Sequence, residues 1–481
     1  MPTRKTWTQQ QWKRPGVTLH RDPGDFFSLD ALMLTHDGRT LQRSPAWATK
    51  IALPTNFTDP TAAFRDSSTG ETMIVGSNQA ASMAIVEYSS AWAAGSIINL
   101  NTDPNNASSA APHNIAWWGG FFWAIGDNLE VYRGTAYDAA IASFYTTQWV
   151  KMLKPYGEHM YMIDYDGVVF RTNTARSAFE IYLDPIVTLR IIWAGGFHGY
   201  LALVAQQTDG TIHIYHIPDN NPIVVPDNSP STMHEIATIP APGNPAGVLG
   251  LVATAHNDRL YIIPGCHRRS VGGVTYYDYD LWVFDGSTAR HISTLRLSAV
   301  YYLNLFSWND RLMLHSFNHT SNVHTVYALI GDTFTPALPT VTEETTIYSP
   351  AVHPVGDDLI LFTGNVGAHG FQTAGRANLA DGSVITSYLD MEYPGQLKRL
   401  NKITVLMDGA TTNYKVVVSH RIDDTAAWTT DLTTSNTLIP SITFPTTTVF
   451  YLLQVRVAID DDSGSNLDHR ILDIAVDYSI D

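Results

Sequence analysis

The sequence predicts an all-β fold, a β-propeller of seven blades followed by a C-terminal β-sandwich, and three observations carry that prediction. A short polar turn followed by a run of β-forming residues recurs six times, at Gly119-Gly120, Gly157-Glu158, Gly195-Gly196, Asn257-Asp258, Asn309-Asp310 and Gly356-Asp357. Behind most of these turns a second run ends on Val or Ile and an aromatic, as in Leu129-Glu130-Val131-Tyr132 and Leu281-Trp282-Val283-Phe284. A strand, turn and strand repeated every about 40 to 60 residues has the period of a propeller blade. After Tyr393-Pro394-Gly395 the runs lengthen and several alternate polar with apolar, which suits a two-layer sandwich.

The elements follow in chain order. Residues 1–25 read as an N-terminal arm without a core of its own, carrying Arg4, Lys5, Trp7, Trp12, Lys13 and Arg14 with no acid before Asp22. The arm reads either as a disordered terminus or, since basic groups stand beside two tryptophans, as a segment that docks on an acidic neighbour in an assembly. Residues 26–392 read as the propeller. A weaker first copy at Thr72-Met73-Ile74-Val75, after Ser67-Ser68-Thr69-Gly70, raises the count from six blades to seven. The segment Lys50-Ile51-Ala52-Leu53 lies ahead of it and is the natural strand to close the ring. Only the stretch around Ala139-Ala140-Ile141-Ala142 suggests a helical turn. The Pro- and Asn-rich segments 217–222 and 226–230 read as loops. Residues 393–481 read as the sandwich.

Composition narrows the function classes. Charged residues make up only 15% of the chain, against about 25% in ordinary domains, so its surface relies on Ser, Thr, Asn and Gln. Acids number 45 and bases 29, a net charge of −16 with no Lys/Arg block, which argues against stable nucleic-acid binding. No apolar run is long enough for membrane insertion by a helix. The single cysteine, Cys266, cannot form an internal disulfide. The start, Met1-Pro2-Thr3-Arg4-Lys5-Thr6-Trp7, lacks the apolar stretch of a secretory signal.

Phe26-Phe27-Ser28-Leu29-Asp30 and the following Thr35-His36-Asp37-Gly38-Arg39-Thr40-Leu41-Gln42-Arg43-Ser44-Pro45 resemble the opening of propeller-bearing virion proteins of tailed bacteriophages. In those, a glycine turn leads to a Leu-x-Arg-Pro-Gly-like element. Here Arg43-Ser44-Pro45 lacks the glycine and inverts the order. The segment from Leu397-Lys398-Arg399-Leu400 to Asp473-Ile474-Ala475-Val476-Asp477-Tyr478 is similar to the terminal β-sandwich of the same group. The resemblance implies a structural component of the tail, nozzle or head-to-tail region. Its partners would be other virion proteins, met in a symmetric ring or homo-oligomer. It would be made in the host cytoplasm without a signal peptide and end in the virion.

Candidate chemistry is sparse. A propeller sialidase needs an arginine cluster, a Tyr nucleophile with a Glu, and Asp-box turns; Asp166-Gly167, Asp209-Gly210 and Asp285-Gly286 read instead as hairpin turns. His213 and His216 fall on opposite faces of a strand, and His315 and His319 straddle an expected turn as solvated residues. The densest oxygen cluster is Asp460, Asp461 and Asp462, a calcium candidate without EF-hand spacing and equally a charged hairpin tip. No nucleophile elbow or phosphate-cradling loop is present. The expectation is therefore a non-enzymatic protein without cofactor. The alternatives are a receptor- or carbohydrate-binding tail-tip propeller and a propeller glycosidase. A host surface glycan would meet aromatics such as Trp117-Trp118, Tyr276-Tyr277 or Tyr301-Tyr302.

Overall fold

In a computed structural model the chain is built of β-strands and turns, with no helix among the described residues. The structure describes the strands and most of the turns between them; the longest stretches outside the described residues are 16–24, 100–114, 218–233, 242–250, 344–351 and 461–468. Seven successive antiparallel sheets of four or five strands are built on residues 57–99, 115–145, 150–183, 190–239, 251–297, 302–342 and 352–379, the last contributing three strands that Pro45–Trp47 and Ile51–Ala52 complete. Each is a meander in which consecutive strands pair, the blade architecture of a β-propeller. Ala142 lies in the strand Ala142–Tyr145, not in a helical turn.

The middle strands show why the sequence reads as apolar runs. Each sheet packs between two neighbours, so both faces of its second strand are buried. Phe122 and Ala124 join Met73 and Val75 of the first sheet, while Trp123 and Ile125 join Met160 and Met162 of the third. Tyr161 and Ile163 then meet Leu201, Leu203 and Ala205, and Ala202 and Val204 meet Leu260 and Ile262. Alternation survives as a choice between neighbours rather than between core and water.

The sheets close a ring. From the second sheet onward the first strand of each contacts the first strand of the next, ending with Val352–Val355 of the seventh against Phe57–Arg65 of the first. Val355, Ile360, Phe362 and Phe371 of the seventh sheet share a core with Phe57, Ile74, Val86 and Tyr88 of the first. The closing strand is Ile51–Ala52, paired antiparallel with the seventh sheet through Ile51↔Phe371 and Ala52↔Gly370, as Lys50-Ile51-Ala52-Leu53 was expected to do. A Cβ on Gly370 would lie 2.7 Å from the Ile51 carbonyl oxygen. Only glycine lets the closing strand approach.

Five of the six expected turns join the first two strands of a sheet. Asn257-Asp258 and Asn309-Asp310 have positive φ at both residues, 48° and 55°, and 48° and 57°. This is the left-handed geometry that two-residue hairpins require. Gly195-Gly196 is different: both glycines lie inside the strand Arg190–Phe197, and the turn falls at His198-Gly199. Added Cβ atoms would meet the Trp193 ring at 2.7 Å and the Tyr156 ring at 2.8 Å. These glycines serve close packing, so the turn is displaced by three residues.

Contacts divide the chain into two units. One comprises Thr49–His324 and Thr342–Thr373; the other comprises Met1–Ala48, Thr325–Val341 and Ala374–Asp481. The second contains two further sheets. A seven-stranded sheet runs Leu32–Leu34, Leu41–Arg43, Arg470–Ile480, Lys398–Asp408, Ser441–Thr443, with Thr3–Gln9 added to Arg470–Ile480 and Val449–Phe450 to Lys398–Asp408. A six-stranded sheet runs Arg14–Pro15, Asp25–Asp30, Gly382–Thr386, Leu453–Asp460, Lys415–Ile422, Thr429–Ser435. Along the central strands Ile403, Val405, Val457 and Ile459 are buried, while Leu406 and Arg456 are exposed.

These pairings correct the boundaries 1–25, 26–392 and 393–481. Thr3–Gln9 is no free arm, because it pairs antiparallel with the last strand from Thr3↔Ile480 to Gln9↔Ile474. Asp25–Asp30 pairs with Gly382–Thr386, and Leu41–Arg43 with Arg470 and Ile471, so residues on both sides of the seven sheets build the second unit. The physical reason is that a strand's backbone donors and acceptors need partners, and the two chain ends supply them to each other.

Candidate functional site

Among the described residues the fifth sheet carries an extension that the other six lack. After Gly265, at φ 118°, its second strand continues as Cys266–Val271 and turns back near Gly273 into the eleven-residue strand Val274–Phe284. Ala289–Leu297 follows that long strand from Phe284↔Ala289 to Tyr277↔Leu297. The three strands form a projecting platform bearing His267, Arg268, Arg269, Tyr276, Asp278, Asp280, His291 and Arg296. Cross-strand registers Arg269↔Tyr276, His267↔Asp278 and Asp278↔Arg296 put these side chains into rows on one face, except Arg268, which is registered with Tyr277 on the other.

Two carboxylates organise the platform. Asp278 accepts two hydrogen bonds from Arg296, at 2.7 Å from Nε and 3.0 Å from Nη2, and the guanidinium lies 5.7 Å from the Tyr276 ring centre. Those hydrogen bonds from Arg296 hold the Asp278 carboxyl below the usual carboxylate range against the opposing effect of burial, and the charges of Arg296, Arg269 and His267 add to them. Asp280 receives Thr294 Oγ1 at 2.6 Å and lies 2.9 Å from His267 Nε2 and 3.3 Å from His291 Nε2. Both histidines are thereby oriented, while Arg268 and Arg269 stay exposed. Among the described residues no group of three or more His, Cys, Asp or Glu is arranged to hold a metal ion. The platform offers fixed cations and a half-buried Tyr276, which suits an acidic protein surface.

A second polar cluster lies beside the closing strand. His315 and His324, on neighbouring strands, stack at 5.3 Å with His315 Nε2 3.1 Å from His324 Nδ1, and Phe317 stacks on His324 at 4.4 Å. His324 Nε2 lies 3.2 Å from the Glu343 carbonyl oxygen, which can only accept. The proton on His324 is therefore on Nε2, and its Nδ1 accepts from His315 Nε2–H. Burial pushes both rings below the ordinary histidine value, His324 to about 4, with the mutual charge of the pair adding for His315. The Glu343 carboxylate takes Lys50 Nζ at 2.9 Å and Gln372 Nε2 at 3.0 Å. Burial works to raise its pKa, but the hydrogen bonds from Lys50 and Gln372 and the Lys50 charge prevail and lower it. The arrangement ties the residue before the closing strand to the sixth and seventh sheets. It is a fastening, with no nucleophile in it.

The residues singled out from sequence scatter. Arg4, Lys5 and Trp7 lie in the strand Thr3–Gln9, and Arg14 in a two-residue strand parallel to Asp25–Asp30. Trp12 and Lys13 fall outside the described residues. Asp460 ends the strand Leu453–Asp460 with its carboxylate 3.7 Å from Lys415 Nζ, while Asp461 and Asp462 fall outside the described residues. Trp118 sits beneath the Arg176 guanidinium at 4.8 Å, and Tyr302 stacks on Phe317 at 6.4 Å. His315 is not a solvated loop residue: it lies in the strand Arg311–Asn318 at 2% exposure. The pairing of His315 with His324 left one sequence signal, two histidines nine residues apart in consecutive strand runs.

No known protein family matches the chain, and no curated protein is similar to it. Among solved structures it is similar to "YCF48 bound to D1 peptide", at 12% identity and a TM-score of 0.40 over 69% of this chain and 99% of that one. The Myceliophteria thermophila Cps50 (Swd1) β-propeller domain matches at 9% identity and a TM-score of 0.46, over 68% and 99% of the two chains. The WD40 domain of Toxoplasma gondii coronin matches at 10% identity and 0.42, over 72% and 88%. Likeness at this level says nothing of activity or partners. The propeller architecture rests on the strand order and ring closure above.

Proposed function

We propose that this chain is a non-enzymatic structural protein of a phage virion, a seven-bladed propeller with a β-sandwich to which both chain ends contribute strands, acting by protein-protein contacts in the tail or head-to-tail region. The observation that carries the contact role is the fifth-sheet platform: exposed Arg269 on the face of the Arg296–Asp278 pair and exposed Arg268 on the opposite face, in a chain whose net charge is −16. Basic groups on such a chain attract acidic faces of neighbouring subunits, other copies included. The ring supplies rigidity, since each sheet is clamped on both faces. The phage setting is supported by the sequence resemblance of residues 26–45 and 397–478 and by the low charged fraction of 15%.

The test joins location to contact. Purified particles should contain this chain, and Arg268→Glu with Arg269→Glu should reduce its incorporation while leaving the melting temperature of the isolated protein unchanged. Absence from particles sinks the virion reading. Incorporation of the charge-reversed protein at wild-type occupancy sinks the platform as the contact. A glycan array with saturable binding lost in a Tyr276→Ala variant would favour the receptor-binding alternative.

A further inference from the structure

Four of the five large hydrophobic side chains exposed among the described residues gather on one sheet. They border Lys398–Asp408, a central strand of the seven-stranded sheet. Leu397 precedes that strand and Tyr451 follows Val449–Phe450, and the register Lys398↔Phe450 sets the two opposite each other. At the far end Thr404 is registered with Ser441 and the Val405 N–H donates to the Pro440 carbonyl at 2.9 Å, which sets Leu406 opposite Ile439. Two cross-strand apolar pairs therefore stand at the two ends of one strand, about 30 Å apart.

One face carries both pairs. Along the strand Lys398, Leu400, Ile403, Val405 and Met407 are buried, and the residues between them look outward. The break in register between Leu400 and Lys402 shifts the alternation by one, which keeps Leu397 and Leu406 on the same side although an odd number of positions separates them. Phe450 and Pro440 are buried beside Tyr451 and Ile439 in the same way. The four side chains are 37% to 58% exposed. Single exposed apolar residues are ordinary, but two matched pairs on one open face mark a contact.

Symmetry and charge select the occupant. Turned end for end, one copy sets its Leu397–Tyr451 pair on the Leu406–Ile439 pair of another, and the same rotation makes the reverse contact, as an isologous interface requires. Arg399 stands at the Leu397 end, while Asp408 and Asp473, which is registered with Leu406, stand at the other, so the rotation brings unlike charges together. In a chain of net charge −16 most contacts between copies would oppose acid to acid. A face about 30 Å long and several strands wide is on the scale of the ~800 Å² that a stable interface takes from each partner.

We infer that this face of the seven-stranded sheet is a two-fold contact with a second copy of the chain, anchored by its two apolar pairs. The contact uses no residue of the fifth-sheet platform and does not depend on the virion reading.

Sedimentation equilibrium of the full chain over a range of concentrations tests the inference. The wild type should show a reversible equilibrium between monomer and dimer. Leu397→Lys and Leu406→Glu should each weaken dimerisation by about a hundredfold, about tenfold at each of the two symmetric contacts. The double variant Leu397→Lys with Leu406→Glu should regain most of that loss, because each introduced lysine then meets an introduced glutamate of the other copy. Tyr200→Glu, at the fifth exposed position and in the unit that holds Thr49–His324, should dimerise like the wild type. Melting followed at concentrations where the wild type is monomeric should be the same for all, which separates a lost contact from a lost fold; where a variant melts lower, Ile439→Glu takes its place. A wild type that stays monomeric at every concentration overturns the inference, whatever else the face then binds. Dimers that survive both single substitutions overturn the face, and a double variant as weak as the single ones overturns the two-fold arrangement.

Discussion

Acid should loosen the ring at its fastening before the carboxylates elsewhere are protonated. His324 titrates near 4 in the folded protein against an ordinary 6.5, and His315 is displaced in the same direction. Both are therefore neutral when folded, and protonating His324 at Nδ1 sets its N–H against the His315 Nε2–H across their 3.1 Å contact. Between pH 6.5 and about 4 the unfolded chain binds a proton that folded His324 does not, so stability is complete above 6.5 and is lost as pH falls towards 4. At 1.36 kcal/mol per pKa unit, His324 accounts for about 3 kcal/mol of that loss. His324→Gln isolates the effect: its amide can donate to the Glu343 carbonyl and accept from His315, and it does not titrate. Urea unfolding followed by tryptophan fluorescence at a series of pH values should show the wild type losing about 3 kcal/mol more than the variant between pH 7 and 4. Parallel curves for the two proteins would refute the protonation argument.

Four further outcomes follow from the packing. Gly370→Ala sets a Cβ 2.7 Å from the Ile51 carbonyl and should cost about 1 to 3 kcal/mol in urea unfolding, with faster amide exchange confined to the closing strand; an unchanged midpoint would mean that the closure is looser than described. Phe371→Ala removes a fully buried ring that meets Tyr88 edge-on at 5.0 Å, for an expected loss of about 3 to 5 kcal/mol by the same measurement. Deleting residues 2–9 strips a strand from the edge of Arg470–Ile480 and should lower the melting temperature, whereas a solvated tail would leave it unchanged. Lys398→Met abandons the carbonyls of Gln396 and Tyr451, which its buried ammonium reaches at 2.9 and 3.1 Å, and should cost about 1 to 3 kcal/mol in chemical unfolding.

What the sequence by itself determined is what neighbours along the chain can enforce. Runs such as Phe121-Phe122-Trp123-Ala124-Ile125 are strands buried on both faces, and Asn257-Asp258 and Asn309-Asp310 adopt left-handed turn geometry wherever they join two such runs. The same local logic marked Lys50-Ile51-Ala52-Leu53 as a spare strand beside the repeats. Tertiary structure alone decided the rest. Gly195-Gly196 carries the composition of a turn, yet the rings of Trp193 and Tyr156 occupy the space where side chains would be. Thr3–Gln9 has the charge of a tail, yet its backbone is paired with residues 474–480 at the far end of the chain. His315 and His324 acquire their chemistry from strands that the fold sets side by side. Local pattern fixes which residues can be strands, because it follows from backbone geometry and the burial of each run. Which strand becomes the partner depends on contacts between residues distant in sequence, and no short window of residues contains them.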